Sequence, residues 1–174
     1  MATYKIDATH SEVTFKIKHL MISNVSGNFT KFDGQINANN EDLSDAVFSF
    51  ETDVDSINTN NEQRDGHLKS ADFFDAENHP KLSFKSTSFT KKGDDFELVG
   101  DFTLRGVTKS VKLNADYAGK MVDPYGNEKH GFEISGKISR KEFGLEWSAV
   151  TEAGGIVVSD EVKLLVNAQF AKVN

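Results

Sequence analysis

Apolar and polar residues alternate with a period of two along most of this chain. Val13, Phe15 and Ile17 share one side of an early segment, while Glu12, Thr14, Lys16 and Lys18 share the other. Ala46, Phe48, Phe50, Thr52 and Val54 repeat the pattern, as do Phe96, Leu98, Phe102 and Leu104, and then Val111, Leu113, Ala115 and Tyr117. Phe132, Ile134 and Ile138 continue it, and Val162, Leu164, Val166, Ala168 and Phe170 close it. Successive side chains of a strand point to opposite faces, so each segment has one greasy face and one wet face. Strands are predicted near residues 4–8, 12–20, 24–37, 45–55, 81–89, 95–105, 110–118, 130–140 and 161–171. So many one-sided strands must hide their apolar faces, either in a closed barrel or in a sandwich.

Two features interrupt the alternation. Between Phe29 and Phe32 the phase breaks, with Gly27 and Gly34 on either side; this predicts a bulge or sharp bend of the kind a barrel needs to curve. The stretch from Thr59 to Asp75 does not alternate at all. It predicts a short helix over residues 60–70, capped by Thr59 or Asn60, with Glu62 in its first turn and Gly66 weakening it. Leu68, Phe73 and Phe74 give it something to bury, over or beside the barrel. Turns are marked by Lys92-Gly93-Asp94, Arg105-Gly106 and Asp123-Pro124-Tyr125-Gly126-Asn127.

Composition narrows the picture. With 174 residues the chain reads as one all-β domain, residues 1–174. Its 14 Phe against one Trp and three Tyr add apolar area without polar atoms to satisfy, which suits either a lipid-lined interior or a packed core. A net charge of −7 argues against a nucleic-acid footprint and gives no attraction to anionic membranes. There is no cysteine, hence no disulfide, thiolate nucleophile or Cys metal site. The start, Met1-Ala2-Thr3-Tyr4-Lys5-Ile6-Asp7, has no basic region followed by an apolar run. The expectation is therefore a cytoplasmic protein, or a periplasmic one if a signal has been removed.

Candidate chemistry is sparse. His10, His19, His67, His79 and His130 lack the spacing of metal ligands, and no metal or cofactor is expected. His10, His19 and His67 are expected to make polar contacts near a barrel end. Arg64, Asp65 and His67 read either as an acid–base set or as structural contacts, with Arg64 or Arg140 pairing with an aspartate to pin the helix to the rim. No clear nucleophile accompanies them. Gly154-Gly155 lacks the Lys and helix signal of a phosphate loop. In Lys141–Trp147, Phe143 and Trp147 read either as core aromatics at a bend or as lining of a cavity mouth.

Several blocks together resemble the YceI-like family, lipocalin-like proteins that bind polyisoprenoids and similar long apolar molecules. They include Ile6-Asp7-Ala8-Thr9-His10-Ser11, Val25-Ser26-Gly27-Asn28-Phe29 and Phe32-Asp33-Gly34. The most specific is Arg64-Asp65-Gly66-His67-Leu68, followed by Asp72-Phe73-Phe74-Asp75 and Pro80. Gly106-Val107-Thr108-Lys109 and Ile138-Ser139-Arg140-Lys141-Glu142-Phe143-Gly144-Leu145 add to it. Many relatives carry Trp near position 4, where this chain has Tyr4. The resemblance implies an extended eight-stranded antiparallel barrel, a ligand with a long apolar tail (an isoprenoid or fatty lipid), and often a homodimer; the favoured reading is a carrier with no catalytic residue, its rival an enzyme using His67 or His19 as acid or base. With the alternation phase the resemblance makes Phe15, Ile17, Phe29, Phe48, Phe50, Phe84, Phe102, Leu104, Leu113, Phe132, Ile134, Phe143, Trp147, Val162 and Leu164 the expected lining. The expected polar mouth is His10, His19, Arg64, His67 and Arg140.

Overall fold

The structure, a computed structural model, describes residues 1–20, 22–145 and 158–173. Eleven strands form a single antiparallel sheet. They are β1 (Ala2–Ile6), β2 (Glu12–His19), β3 (Ser23–Phe29), β4 (Phe32–Ala38), β5 (Val47–Asp53), β6 (Ile57–Asn58), β7 (Lys81–Lys92), β8 (Asp95–Leu104), β9 (Val107–Val122), β10 (Glu128–Ser139) and β11 (Val158–Lys172). Three of the barrel staves are interrupted. A 3-10 turn at Ala8–His10 separates β1 from β2, a break at Thr30-Lys31 separates β3 from β4, and a 3-10 turn at Val54–Ser56 separates β5 from β6. Counting each interrupted pair as one stave gives an eight-stranded barrel, whose first and last strands meet through β1 on β11 and β2 on β11. The ambiguity between sandwich and barrel is thus resolved in favour of closure, which leaves no long edge strand among the described residues.

The phase break at Phe29–Phe32 is a bend between two paired halves: β3 pairs with β2, and β4 with β1. Gly27 serves close approach here. A Cβ at that position would stand 2.4 Å from the ring of Phe15 and 2.8 Å from the Thr59 methyl, so the tip of the ring packs directly on bare backbone. At the β8–β9 hairpin, Arg105 and Gly106 both have positive φ, 52° and 73°, the geometry of the tight two-residue turn that matches strand twist.

Among the described residues the one α-helix, α1 (Glu62–Lys69), falls where the non-alternating stretch predicts it, but its cap differs. Asn61, not Thr59 or Asn60, is the N-cap, and its side chain accepts from the Arg64 amide at 3.0 Å. Thr59 instead lies buried beneath the helix, and Asn60 takes a positive φ of 62° to redirect the chain. The helix carries no buried residue, so its own sequence gives it little stability. It is held through Thr59 and through the Phe73-Phe74 return, where the Phe74 amide donates to the Leu68 carbonyl at 3.0 Å. No helix among the described residues is long and apolar enough to cross a membrane.

Candidate functional site

The alternation leaves an apolar interior, but that interior is not uniform along the barrel axis. At the end where β1 and β10 begin it is filled. Phe48 meets Phe89 at 5.0 Å and Phe132 edge-on at 5.4 Å; Phe132 in turn meets Phe170 at 6.0 Å and Tyr117 at 5.0 Å. A polar network finishes this end. The Tyr117 hydroxyl lies 2.6 Å from His130 Nδ1, and His130 Nε2 lies 3.1 Å from Glu128 Oε1. A carboxylate only accepts, so Nε2 carries the proton and Nδ1 accepts from Tyr117, which is the neutral imidazole tautomer. Burial holds His130 below its ordinary pKa, against the pull of the Glu128 hydrogen bond, and burial also raises Tyr117. Glu128 is lowered: burial would raise it, but the hydrogen bond from His130 and the charges of Lys172 and Lys120 prevail.

At the other end, under α1, the barrel is hollow. A cavity of about 250 Å³ is bounded by strand-terminal residues (Ile17, Lys18 and His19 of β2, Leu82 of β7, Leu104 of β8, Ile138 of β10, Val158 and Val162 of β11), with Arg140 and Leu145 beyond β10. Arg64, His67 and Leu68 of α1, with Phe73 and Phe74, complete its wall. A second chamber of about 90 Å³ reaches deeper, between Phe48, Phe50, Phe84, Leu113 and Ile134. Phe15, Phe29, Leu82, Phe102 and Leu164 border both chambers and form the waist between them.

Most residues expected to line the barrel are found on these walls. Phe15, Ile17, Phe29, Phe102, Leu104, Val162 and Leu164 border the larger chamber, and Phe48, Phe50, Phe84, Leu113 and Ile134 border the smaller. Two do not. Phe132 points inward but is spent in the ring cluster of the filled end, and Phe143 is buried against Phe102 at 5.4 Å without reaching either chamber. Trp147 lies outside the described residues. Ala46 and Ala115 face inward, as their phase requires, but both are packed into wall and border neither chamber.

Of the polar candidates, His19, Arg64, His67 and Arg140 converge on the larger chamber. His10 does not: it lies exposed near the filled end, 2.9 Å from Asp7, which also takes Lys129 at 2.9 Å. The 3-10 turn leaves His10 at the start of β2, and the whole of β2 separates it from His19. Hydrogen bonds from Thr9, Lys129 and His10 hold the Asp7 carboxyl far below the usual carboxylate range. Of the aspartate pairing expected for Arg64 or Arg140, Arg64 has Thr59 as its partner instead, while Arg140 feels the charge of Asp160. Arg64 donates from Nε to the Thr59 hydroxyl at 2.8 Å and from Nη2 to the Thr59 carbonyl at 2.6 Å, while Asp65 receives the Thr59 hydroxyl and amide. Arg140, almost fully buried, donates to the carbonyls of Leu145 (2.6 Å), Ser159 (2.9 Å) and Val158 (3.2 Å), and burial lowers its pKa. His67 Nε2 lies 3.0 Å from Asp72. Among the described residues no three His, Asp or Glu side chains gather as a metal set.

Sequence reasoning passed over Val25, Leu82, Ile138 and Leu145 as cavity residues, and it took Leu68, Phe73 and Phe74 for anchors only. Two signals were available. Val25 is the cross-strand partner of Ile17, and Leu82 lies in phase with Phe84.

The comparisons with known proteins agree with this geometry. Residues 4–170 match the YceI-like domain. Protein YceI of Escherichia coli O17:K52:H18 is 39% identical over 170 residues, covering 97% of this chain and 86% of that protein. BcnA of Burkholderia cenocepacia superposes with a TM-score of 0.82 at 21% identity, covering 94% of this chain and 98% of that one. A polyisoprenoid binding domain from Saccharophagus degradans superposes with a TM-score of 0.70 at 16% identity over 97% of each chain. With its motifs, its closed barrel and these matches in hand, the chain belongs to the YceI-like family.

Proposed function

We propose that this protein binds a long-chain apolar ligand (a polyisoprenoid, an isoprenoid quinone or a fatty-chain lipid) and carries or sequesters it, with the tail in the two chambers. The observation that carries this reading is the hollow half of the barrel. Two abutting chambers of about 250 and 90 Å³ are walled mainly by Phe, Leu, Ile and Val, in a fold whose other end is packed with rings. Together they lie near the lower end of the roughly 300–1,000 Å³ typical of small-molecule sites. Burial alone supplies affinity, since each methylene withdrawn from water contributes about 0.8 kcal/mol before ordering costs. Family membership and the shared fold with a polyisoprenoid binding domain support the same ligand class.

The described wall of the larger chamber is mostly apolar and carries no hydroxyl or carboxylate side chain, its titratable groups being Lys18, His19, Arg64, His67 and Arg140; an apolar hollow of this kind supports binding as its role. Extraction of the purified protein under native conditions, followed by mass spectrometry, is expected to recover a long-chain lipid. Protein that comes out empty and takes up neither an isoprenoid nor a fatty chain overturns the reading.

A further inference from the structure

The outer face of the barrel beside the hollow end carries an arrangement that the fold does not need. Lys16 of β2 stands directly opposite Lys163 of β11, and Lys163 directly opposite Lys137 of β10, so three lysines sit side by side on three adjacent strands. All three are exposed, as is Lys18, two residues nearer the end of β2. Like charges directly opposite one another on a sheet destabilise it. The chain is acidic, with 27 Asp and Glu against 20 Lys and Arg, yet among the described residues only Lys137 of these four reaches a carboxylate, Glu161 at 3.8 Å. Asp160, the other carboxylate near the start of β11, is taken by Ser139 and the Lys141 amide.

The same corner exposes apolar side chains. His19 pairs with Ser23 where β2 passes into β3, and the turn between them displays Leu20 and Ile22, 40% and 86% exposed. Leu20 has a positive φ of 54°, a backbone region that non-glycine residues rarely enter. Single exposed hydrophobic residues are ordinary, but these two share one turn, and that turn directly follows Lys18 and His19 of the larger chamber's wall. At about 3.3 Å per strand residue, Leu20 lies roughly 13 Å along the chain from Lys16, so the turn and the lysine row can meet one surface together.

We infer that this corner docks the hollow end of the barrel onto an anionic lipid bilayer. Leu20 and Ile22 enter the interface, and Lys16, Lys18, Lys137 and Lys163 face the headgroups. A net charge of −7 gives the chain as a whole no attraction to such a surface, so the contact is local and fixes an orientation, with the cavity turned toward the bilayer. A soluble polyanion would match the lysines but leave the apolar turn in water. The inference goes beyond the binding role proposed above and holds whatever the cavity carries.

The test is co-sedimentation of the full-length protein with vesicles of phosphatidylcholine mixed with phosphatidylglycerol, against vesicles of phosphatidylcholine alone. Binding is expected to the mixed vesicles, to be much weaker on phosphatidylcholine, and to fade as salt is added. Lys16→Gln and Lys163→Gln should each weaken it by about fivefold. Neither should lower the melting temperature, because each relieves a like-charge contact. Ile22→Asp should weaken binding as well. None of these three residues borders a chamber, so uptake of a lipid supplied from cyclodextrin is expected to persist in all three variants, which separates a failure of docking from a failure of the cavity. Absence of binding to the mixed vesicles, equal binding to both kinds, or binding that survives all three substitutions overturns the inference. Equally tight binding of soluble polyphosphate that Ile22→Asp leaves unchanged also overturns it, and assigns the lysine row to a partner of another class.

Discussion

The two ends of this barrel are built from the same alternating strands, yet one is solid and the other hollow. In the solid end, large rings face one another across the interior: Phe89 and Phe96 stack at 4.3 Å, Phe132 packs on Phe48 and Phe170, and Phe48 and Phe170 form the floor of the smaller chamber. Tyr4 sets its edge against His130 at 4.9 Å, and the Tyr117–His130–Glu128 network satisfies every polar group that the rings enclose. In the hollow end, aliphatic residues such as Ile17, Val25, Leu104 and Val162 alternate with the rings of Phe15, Phe29, Phe73, Phe74 and Phe102 around the wall, and the polar helix covers the space they leave. The lesson is that alternation determines which side chains enter a barrel, while the size of the facing partners determines whether they meet.

Overfilling separates the two ends most sharply. Ala115, fully buried between Phe96 and Ile134, sits in packed wall. Ala115→Trp is expected to overpack it and cost about 1–3 kcal/mol, read as a lowered denaturation midpoint. Val25→Trp, on the cavity wall, is expected to leave the midpoint near that of the parent while abolishing lipid uptake. Equal destabilisation by both would mean that the hollow end is as solid as the other.

A smaller effect tests whether the ends act independently. Tyr117→Phe removes the donor to His130 Nδ1 and strands a buried acceptor, at a cost of about 1–3 kcal/mol. Lipid uptake, measured below the new midpoint, should be unchanged, because Tyr117 borders neither chamber. Loss of uptake together with stability would show that the filled end supports the cavity.

The mildest perturbation is pH. Burial holds His130 neutral in the fold, so as pH drops below about 6.5 the unfolded chain binds a proton that the native state refuses, and stability falls. Asp7 adds a second loss, confined to pH below its ordinary value near 4, since its native carboxyl resists protonation. Urea midpoints measured from pH 8 to pH 3 should therefore decline in two stages, and an NMR titration of the His130 imidazole should show it protonating below the ordinary histidine value.

Much of this was legible in the sequence. Period-two alternation located the staves, and the phase slip between Phe29 and Phe32 located a bend, because both follow from strand geometry alone. The helix was legible from the failure of alternation over residues 60–70 and from the apolar residues flanking its end. Depth along the barrel axis was not legible. Phe132 and Phe29 have the same phase relation to the interior, and only closure and stagger put one among rings and the other at the waist. His10 and His19 fail in the same way: nine positions apart, they are separated by the length of β2, and the 3-10 turn at Ala8–His10 decides which end each occupies. The partner of Arg64 escaped as well, because a buried threonine hydroxyl took the place that charge complementarity suggests for an aspartate.

The central claim is that the hollow end is a tail-binding cavity, and a tail-length series tests it most directly. Straight-chain alcohols of increasing length are titrated into lipid-free protein. The account predicts that affinity climbs with each added methylene, by up to roughly fourfold per step, and levels off once the waist at Phe15, Phe29 and Phe102 has been passed and the inner chamber filled. Affinity that stays flat from the shortest chain to the longest would contradict it.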